Sequence, residues 1–193
     1  MTVIGDLDCQ AAVFVYKDDD SKDKAWEAVV GIEAGQPIRG EHHTDKDDFL
    51  AAISAWASNV DPDNAFLCIY AHMGDPGIAP VGEDDGRIIT WEELETVLGD
   101  GVHLLWLIGC KSEASMGVWN TSARPVRGFL LATSESQPWR PFIQFFADEI
   151  SMDHIRPYDE MPAHLLKEAP DLAKLTKYYK PSENGFDEAF QNV

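Results

Sequence analysis

A thiol and an imidazole stand at the ends of two apolar runs in this chain. Ala65-Phe66-Leu67-Cys68-Ile69-Tyr70-Ala71 leads into His72, and Val102-His103-Leu104-Leu105-Trp106-Leu107-Ile108-Gly109 leads into Cys110. A hydrolytic cysteine acts as its thiolate, so it needs a base beside it or a positive field around it. His72 is the candidate base and Cys110 the candidate nucleophile. Attack of such a thiol on a carbonyl creates a tetrahedral oxyanion that needs backbone N–H donors, and the amides of Met73, Gly74 and Cys110 are the candidates.

Such a pair works only if the fold brings its members together. Short continuous apolar runs bounded by turn residues read as buried strands of a parallel sheet, and sites form in the crevice beyond the carboxyl ends of such strands. The 38 positions from His72 to Cys110 leave room for a helical crossover between two adjacent parallel strands. Thr90 with Glu93 at the capping-box spacing starts a short helix in that interval, running to Leu98. Elsewhere, Ala11 to Tyr16 reads as a first strand, Ala25 to Ala34 as a second closed by Gly35-Gln36-Pro37, and Arg127 to Thr133 as a fifth. Thr44 precedes Asp45-Lys46-Asp47-Asp48, with Phe49, Ile53 and Trp56 at helical spacing, which predicts a capped amphipathic helix ending near Asn59. Pro138-Trp139 opens another helix, through Ile150, with Phe142, Phe145, Phe146 and Ile150 on its apolar face. Beyond Ser151 one helix is expected, around Leu172 to Tyr179. Strands alternating with helices predict an α/β fold with a mostly parallel central sheet.

Length and composition bound the rest. A chain of 193 residues, 45% of them hydrophobic, fills one core, so a single domain is expected over 1–193, its core at about 10–150 and a C-terminal extension at 151–193. The 34 acidic and 15 basic residues give a formal charge of −19. That field repels nucleic-acid phosphates and anionic lipid surfaces, so neither nucleic acid nor membrane is an expected partner. No apolar run is long enough for a membrane span, and Met1 to Asp6 lacks signal-peptide character, which points to the cytoplasm. Three cysteines in unpaired spacing do not make a disulfide framework; Cys68, inside an apolar run, reads as a packed thiol.

The segments Tyr70-Ala71-His72-Met73-Gly74-Asp75, Ile89-Thr90-Trp91-Glu92-Glu93-Leu94 and Leu107-Ile108-Gly109-Cys110-Lys111-Ser112 resemble the His strand, intervening helix and Cys strand of caspase-like cysteine peptidases, most of all the bacterial CHAT and metacaspase-like branch. The resemblance covers about residues 10–150. It implies a caspase-like three-layer sandwich, a cysteine endopeptidase with His72 and Cys110 as its dyad, a protein or peptide substrate, and no metal or organic cofactor. The family's His is usually followed directly by Gly, where this chain has Met73 before Gly74. Metacaspases carry an acidic residue two positions before the Cys, where this chain has Ile108, so their basic specificity does not transfer through that position. By the same resemblance the segment Thr133 to Ser136 helps to form the pocket for the residue before the scissile bond. Glu135, with Asp75 as a second candidate, then recognises Arg or Lys in the substrate.

Other arrangements are weaker. Glu83, Asp85, Gly86, Ile88 and Glu92 imitate part of a calcium-binding loop, but its first position is Val81, which offers no side-chain oxygen, so a solvated acidic loop is expected. His42-His43 beside Asp45 lacks zinc spacing, and adjacent side chains in an extended segment diverge. His103 reads as a packed or hydrogen-bonded residue, and Phe186 to Phe190 as a tail that docks on the domain or on a partner. Two alternatives to the enzyme remain open: a catalytically silent caspase-like module that binds a partner in a bacterial regulatory or defence assembly, and a small acidic regulatory domain without peptidase ancestry.

Overall fold

The computed structural model describes residues 2–4, 10–17, 38–81, 87–99, 102–119, 129–133, 141, 142, 145, 160–182 and 185–190. In chain order its strands are β1 (Thr2–Ile4), β2 (Ala11–Tyr16), β3 (Ile38–His43), β4 (Phe66–Tyr70), β5 (His72–Gly74), β6 (Gly77–Ala79), β7 (Ile89–Thr90), β8 (Leu104–Ile108), β9 (Phe129–Thr133), β10 (Thr176–Ser182) and β11 (Gly185–Phe190). Its helices are α1 (Lys46–Ala57), α2 (Trp91–Leu98), α3 (Met116–Trp119), α4 (Met161–Glu168) and α5 (Pro170–Ala173), and a 3-10 turn covers Ser112–Ser115.

The main sheet has the order β1-β3-β2-β4-β8-β9-β10-β11. Five strands, β3, β2, β4, β8 and β9, run parallel through four successive pairings. β1 joins one side and β10 and β11 the other, all antiparallel. The fold is α/β with a mostly parallel central sheet, as the alternation of strands and helices indicated. The apolar runs of β2, β4 and β8 follow from their place: each is covered on both faces, so every side chain is buried. Alternate residues divide between two cores. Val13, Cys68 and Trp106 pack on the face that meets Phe142, Leu165 and Tyr178. Phe14, Leu67 and Leu105 pack on the face covered by Phe49, Ile53 and Trp56 of α1 and by Trp91, Leu94 and Leu98 of α2.

Both covering helices form much as their sequences dictate. Phe49, Ile53 and Trp56 are fully buried, a stripe whose members each contribute about 1.5–3 kcal/mol of transfer free energy. The cap of α1 is Asp45 and not Thr44: its carboxylate accepts from the amides of Asp47 at 2.8 Å and Asp48 at 3.0 Å. The helix ends at Ala57, slightly before the expected Asn59. In α2 the capping box is complete. The Glu93 amide donates to Thr90 Oγ1 at 3.2 Å and the Thr90 amide to Glu93 Oε2 at 2.9 Å. Lys46 Nζ, 2.8 Å from the same Glu93 oxygen, ties α1 to α2; the Lys46 hydrogen bond is the chief reason the Glu93 carboxyl lies below its usual range.

Three sequence expectations give way. The run into His72 is not one strand: β4 stops at Tyr70, Ala71 bends, and His72 opens a second, three-stranded antiparallel sheet of β5, β6 and β7. Its turn depends on Gly77, at φ 146°, where a Cβ would sit 1.9 Å from the Ile89 carbonyl oxygen. The helix expected around Leu172 to Tyr179 is instead the end of α5 followed by β10, in which Thr176 and Tyr178 are buried and Lys177 and Tyr179 half-buried. The ladder groups of β9 that face away from β8 need a partner, and that demand overrides local helix preference. The docking tail is β11, which pairs with β10 within the domain's own sheet. The expected strand at Ala25–Ala34 lies outside the described residues, as does most of the helix from Pro138 to Ile150. Phe142 and Phe145 from that segment pack edge-on to Trp106, at 5.7 and 6.0 Å. No helix among the described residues is long and apolar enough to cross a membrane.

Strand β3, absent from the sequence reading, holds a buried polar row. Glu41 pairs with Arg39 and meets His43 Nε2 at 2.6 Å, while the His43 ring stacks on Phe14 at 6.3 Å. Burial would raise the Glu41 carboxyl, but hydrogen bonding to His43 and the Arg39 charge outweigh it and hold it below its ordinary 4.5.

Two outcomes follow. Gly77→Ala should lower unfolding free energy by about 3 kcal/mol in a chemical denaturation series, because the new Cβ forces β6 from β7; an unchanged midpoint would count against the turn geometry. A carboxylate with a depressed folded value stabilises fully above its unfolded value and loses that contribution as pH falls through the folded one. Glu41→Gln should therefore cost about 1.5–3 kcal/mol at neutral pH and progressively less below about pH 4.5, the gap closing in acid. A gap that does not shrink on acidification would contradict this assignment.

Candidate functional site

β4 and β8 pair in parallel, from Phe66 opposite Leu104 to Tyr70 opposite Ile108. Carried two residues further, that register would set His72 level with Cys110. Both strands end short of the residues the sequence assigned as their ends, for Ala71 and Gly109 bend. Contact still persists beyond the strand end, because the Ala71 amide donates to the Ile108 carbonyl at 3.5 Å. Gly109 lets the two segments approach: a Cβ there would lie 2.5 Å from Met73 Cγ and 2.6 Å from the Ala71 oxygen. Ala71 and Met73 belong to the core beneath α1 and α2, so His72 between them faces away from that core and is exposed. Cys110 is half-buried.

The chain turns sharply after the thiol. Lys111 holds a left-handed conformation, φ 56° and ψ 27°, and is the sole non-glycine residue among those described with positive φ. Its carbonyl accepts from the Ala114 amide at 3.0 Å as the 3-10 turn begins, and buried Ser112 donates from Oγ to the Leu107 carbonyl at 3.4 Å. Beyond His72, Trp91 Nε1 donates to the Gly74 carbonyl at 3.0 Å and fastens β5 to the first turn of α2. The pairing of β5 with β6 also limits the oxyanion candidates. Successive amides in an antiparallel strand point to opposite edges, so of Met73 and Gly74 only one amide faces away from β6.

A cleft of about 600 Å³ opens on this rim, lined by Asp75, Lys111, Glu113, Ala114, Lys177 and Tyr179. Its walls are therefore the turn after His72, the turn after Cys110, and β10. Neither His72 nor Cys110 is among the lining residues. Lys177 Nζ lies 2.6 Å from Glu113 Oε2, and that hydrogen bond holds its ammonium above the usual range. Burial raises the Tyr179 phenol beside it, against the opposing charge of Lys177. The chain matches no protein-family model and no curated protein.

The other residues singled out in the sequence sort clearly. His42 and His43 diverge as expected, His42 Nε2 toward the Lys17 carbonyl at 3.2 Å and His43 toward Glu41. His103 precedes β8, at its end remote from Cys110, and stacks on Phe66 at 6.5 Å. Cys68 is fully buried, and burial pushes its thiol well above the usual range. Glu135, Cys9, Glu83, Asp85 and Gly86 lie outside the described residues. Among the described residues no three His, Cys, Asp or Glu side chains are grouped to hold a metal ion. Lys111, Glu113, Lys177, Tyr179 and the anchoring Trp91 were missed. Alternation across Thr176 to Tyr179 was the available signal for β10, whereas nothing local announces a left-handed Lys111.

Exposure and burial separate the two thiols. Iodoacetamide at neutral pH, followed by peptide mass mapping, should modify Cys110 in the folded chain and leave Cys68 unmodified until denaturant is added. Equal rates for both would contradict the packing of β4.

Proposed function

We propose that the chain is a cysteine endopeptidase of caspase-like architecture, with His72 and Cys110 as its dyad. The observation that supports it most is the parallel β4–β8 pairing, whose register, carried two residues past the strand ends, would bring an imidazole and a thiol to one rim of the sheet. In the proposed reaction His72 takes the thiol proton, and Cys110 Sγ attacks the peptide carbonyl. The oxyanion is held by the Cys110 amide and by whichever of the Met73 and Gly74 amides faces away from β6. His72 returns the proton to the leaving amine. Water then hydrolyses the thioester, releasing the acid and restoring the thiol. No metal or organic cofactor enters these steps.

Substrate recognition in this reading falls to Asp75 and Glu135, which pair with Arg or Lys before the scissile bond. The negative field of the chain steers basic peptides toward the rim. One observation favours a second reading, a catalytically silent module that binds a regulatory partner protein: the cleft is walled by the residues after His72 and Cys110 and not by the pair itself.

A fluorogenic peptide panel decides between them. The endopeptidase reading predicts cleavage after Arg or Lys and none after Asp, complete loss in Cys110→Ala, and a loss of about 100- to 10,000-fold in His72→Ala. Cleavage that survives Cys110→Ala, or a preference for Asp or small apolar residues, would overturn it.

A further inference from the structure

Charge in the cleft departs from charge in the chain. The whole sequence carries 34 acidic residues against 15 basic ones, yet the lining holds two lysines and two carboxylates. Lys177 and Glu113 are paired with each other as an ion pair at 2.6 Å. That leaves Asp75 and Lys111, both exposed, whose side chains have no hydrogen bond or ion pair with another described residue. One follows the His72 strand and the other follows Cys110 directly, so a ligand lying in the cleft meets an acid on one wall and a base on the other. A ligand of one sign would satisfy one wall and be repelled by the other, whereas a ligand carrying both signs compensates both. The volume suits a few residues of peptide.

We propose that this cleft binds a dipolar stretch of peptide, a basic side chain against Asp75 together with a carboxylate against Lys111. That the ligand is a peptide rests on the proposed function; that it carries both charges rests on the cleft. A guanidinium forms the stronger, bidentate contact with Asp75. The carboxylate comes from an acidic side chain or from a free chain terminus.

Fluorescence anisotropy with the Cys110→Ala chain tests this without turnover. The probes are labelled, amidated hexapeptides that carry one Arg and one Glu at separations from adjacent to three apart. Matched peptides replace Glu by Gln or Arg by norleucine, and a further peptide ends in Arg with a free carboxylate. The best dipolar peptide should bind about tenfold more tightly than its singly charged counterparts, with the advantage shrinking as salt rises. Asp75→Asn should erase the benefit of Arg. Lys111→Asn, chosen because Asn tolerates the left-handed backbone, should erase the benefit of the carboxylate. Whether the internal Glu or the free terminus gives the tighter complex identifies the carboxylate source, and either supports the site. Equal binding of dipolar and singly charged peptides, or binding indifferent to both substitutions, would overturn it. Dipolar binding in a chain that cleaves no peptide counts against the thiol chemistry alone. Cleavage with charge-indifferent binding counts against the cleft alone.

Discussion

The parallel ladder between β4 and β8 governs the rim on which the candidate chemistry lies. Parallel strands cannot be joined by a hairpin, so the chain between them must leave the sheet and return. It does so through β5, β6, β7 and α2, and the detour sets the surroundings of His72. The ladder also fixes how near the two segments come beyond their strands. Gly109 permits that approach, since any side chain there would collide with the Ala71 carbonyl and with Met73. A change at Gly109 would part the Cys110 turn from β5 without touching either reactive group.

Polar contacts tie the small sheet and the residues just before β7 to α1, α2 and β2. Trp91 reaches from α2 to the Gly74 carbonyl, Lys46 from α1 to Glu93 and the Ile88 carbonyl, and Tyr16 from β2 to the Arg87 carbonyl. Each such bond contributes about 1 kcal/mol net, and together they restrain a segment with little core of its own. On the opposite side of the cleft, β10 supplies Lys177 and Tyr179. The site is thus assembled from three separate stretches of sequence, and its third wall depends on the C-terminal strands completing the sheet.

What the sequence revealed tracks where local chemistry and tertiary demand agree. Ala11–Tyr16, Phe66–Tyr70 and Leu104–Ile108 were legible because strands buried on both faces must be apolar throughout. α2 was legible down to its cap, since Thr90 and Glu93 satisfy each other locally. Ile38–His43 was not, because Arg39, Glu41 and His43, which pair with one another within the fold, mimic a solvated loop. The strand at Thr176–Ser182 was obscured by flanking helical turns and by a pairing partner more than forty residues away. For the candidate site, the adjacent strands β4 and β8 could be read from two apolar runs, but the bends that set His72 and Cys110 beyond them, and the cleft, could not. The cleft's charges come from turns whose geometry, above all the left-handed Lys111, is set by the chain packed around them.

The central claim is that positions 72 and 110 lie side by side just beyond the ends of the adjacent strands β4 and β8, and a crosslink measures this directly. A disulfide forms only when the two Cα atoms come within about 7 Å with their Cβ atoms facing. In a His72→Cys variant with Cys9 replaced by Ser, mild oxidation followed by non-reducing peptide mapping should yield a disulfide between positions 72 and 110, while Cys68 stays reduced in the core. A folded variant that forms no such bond under oxidant would contradict the claim.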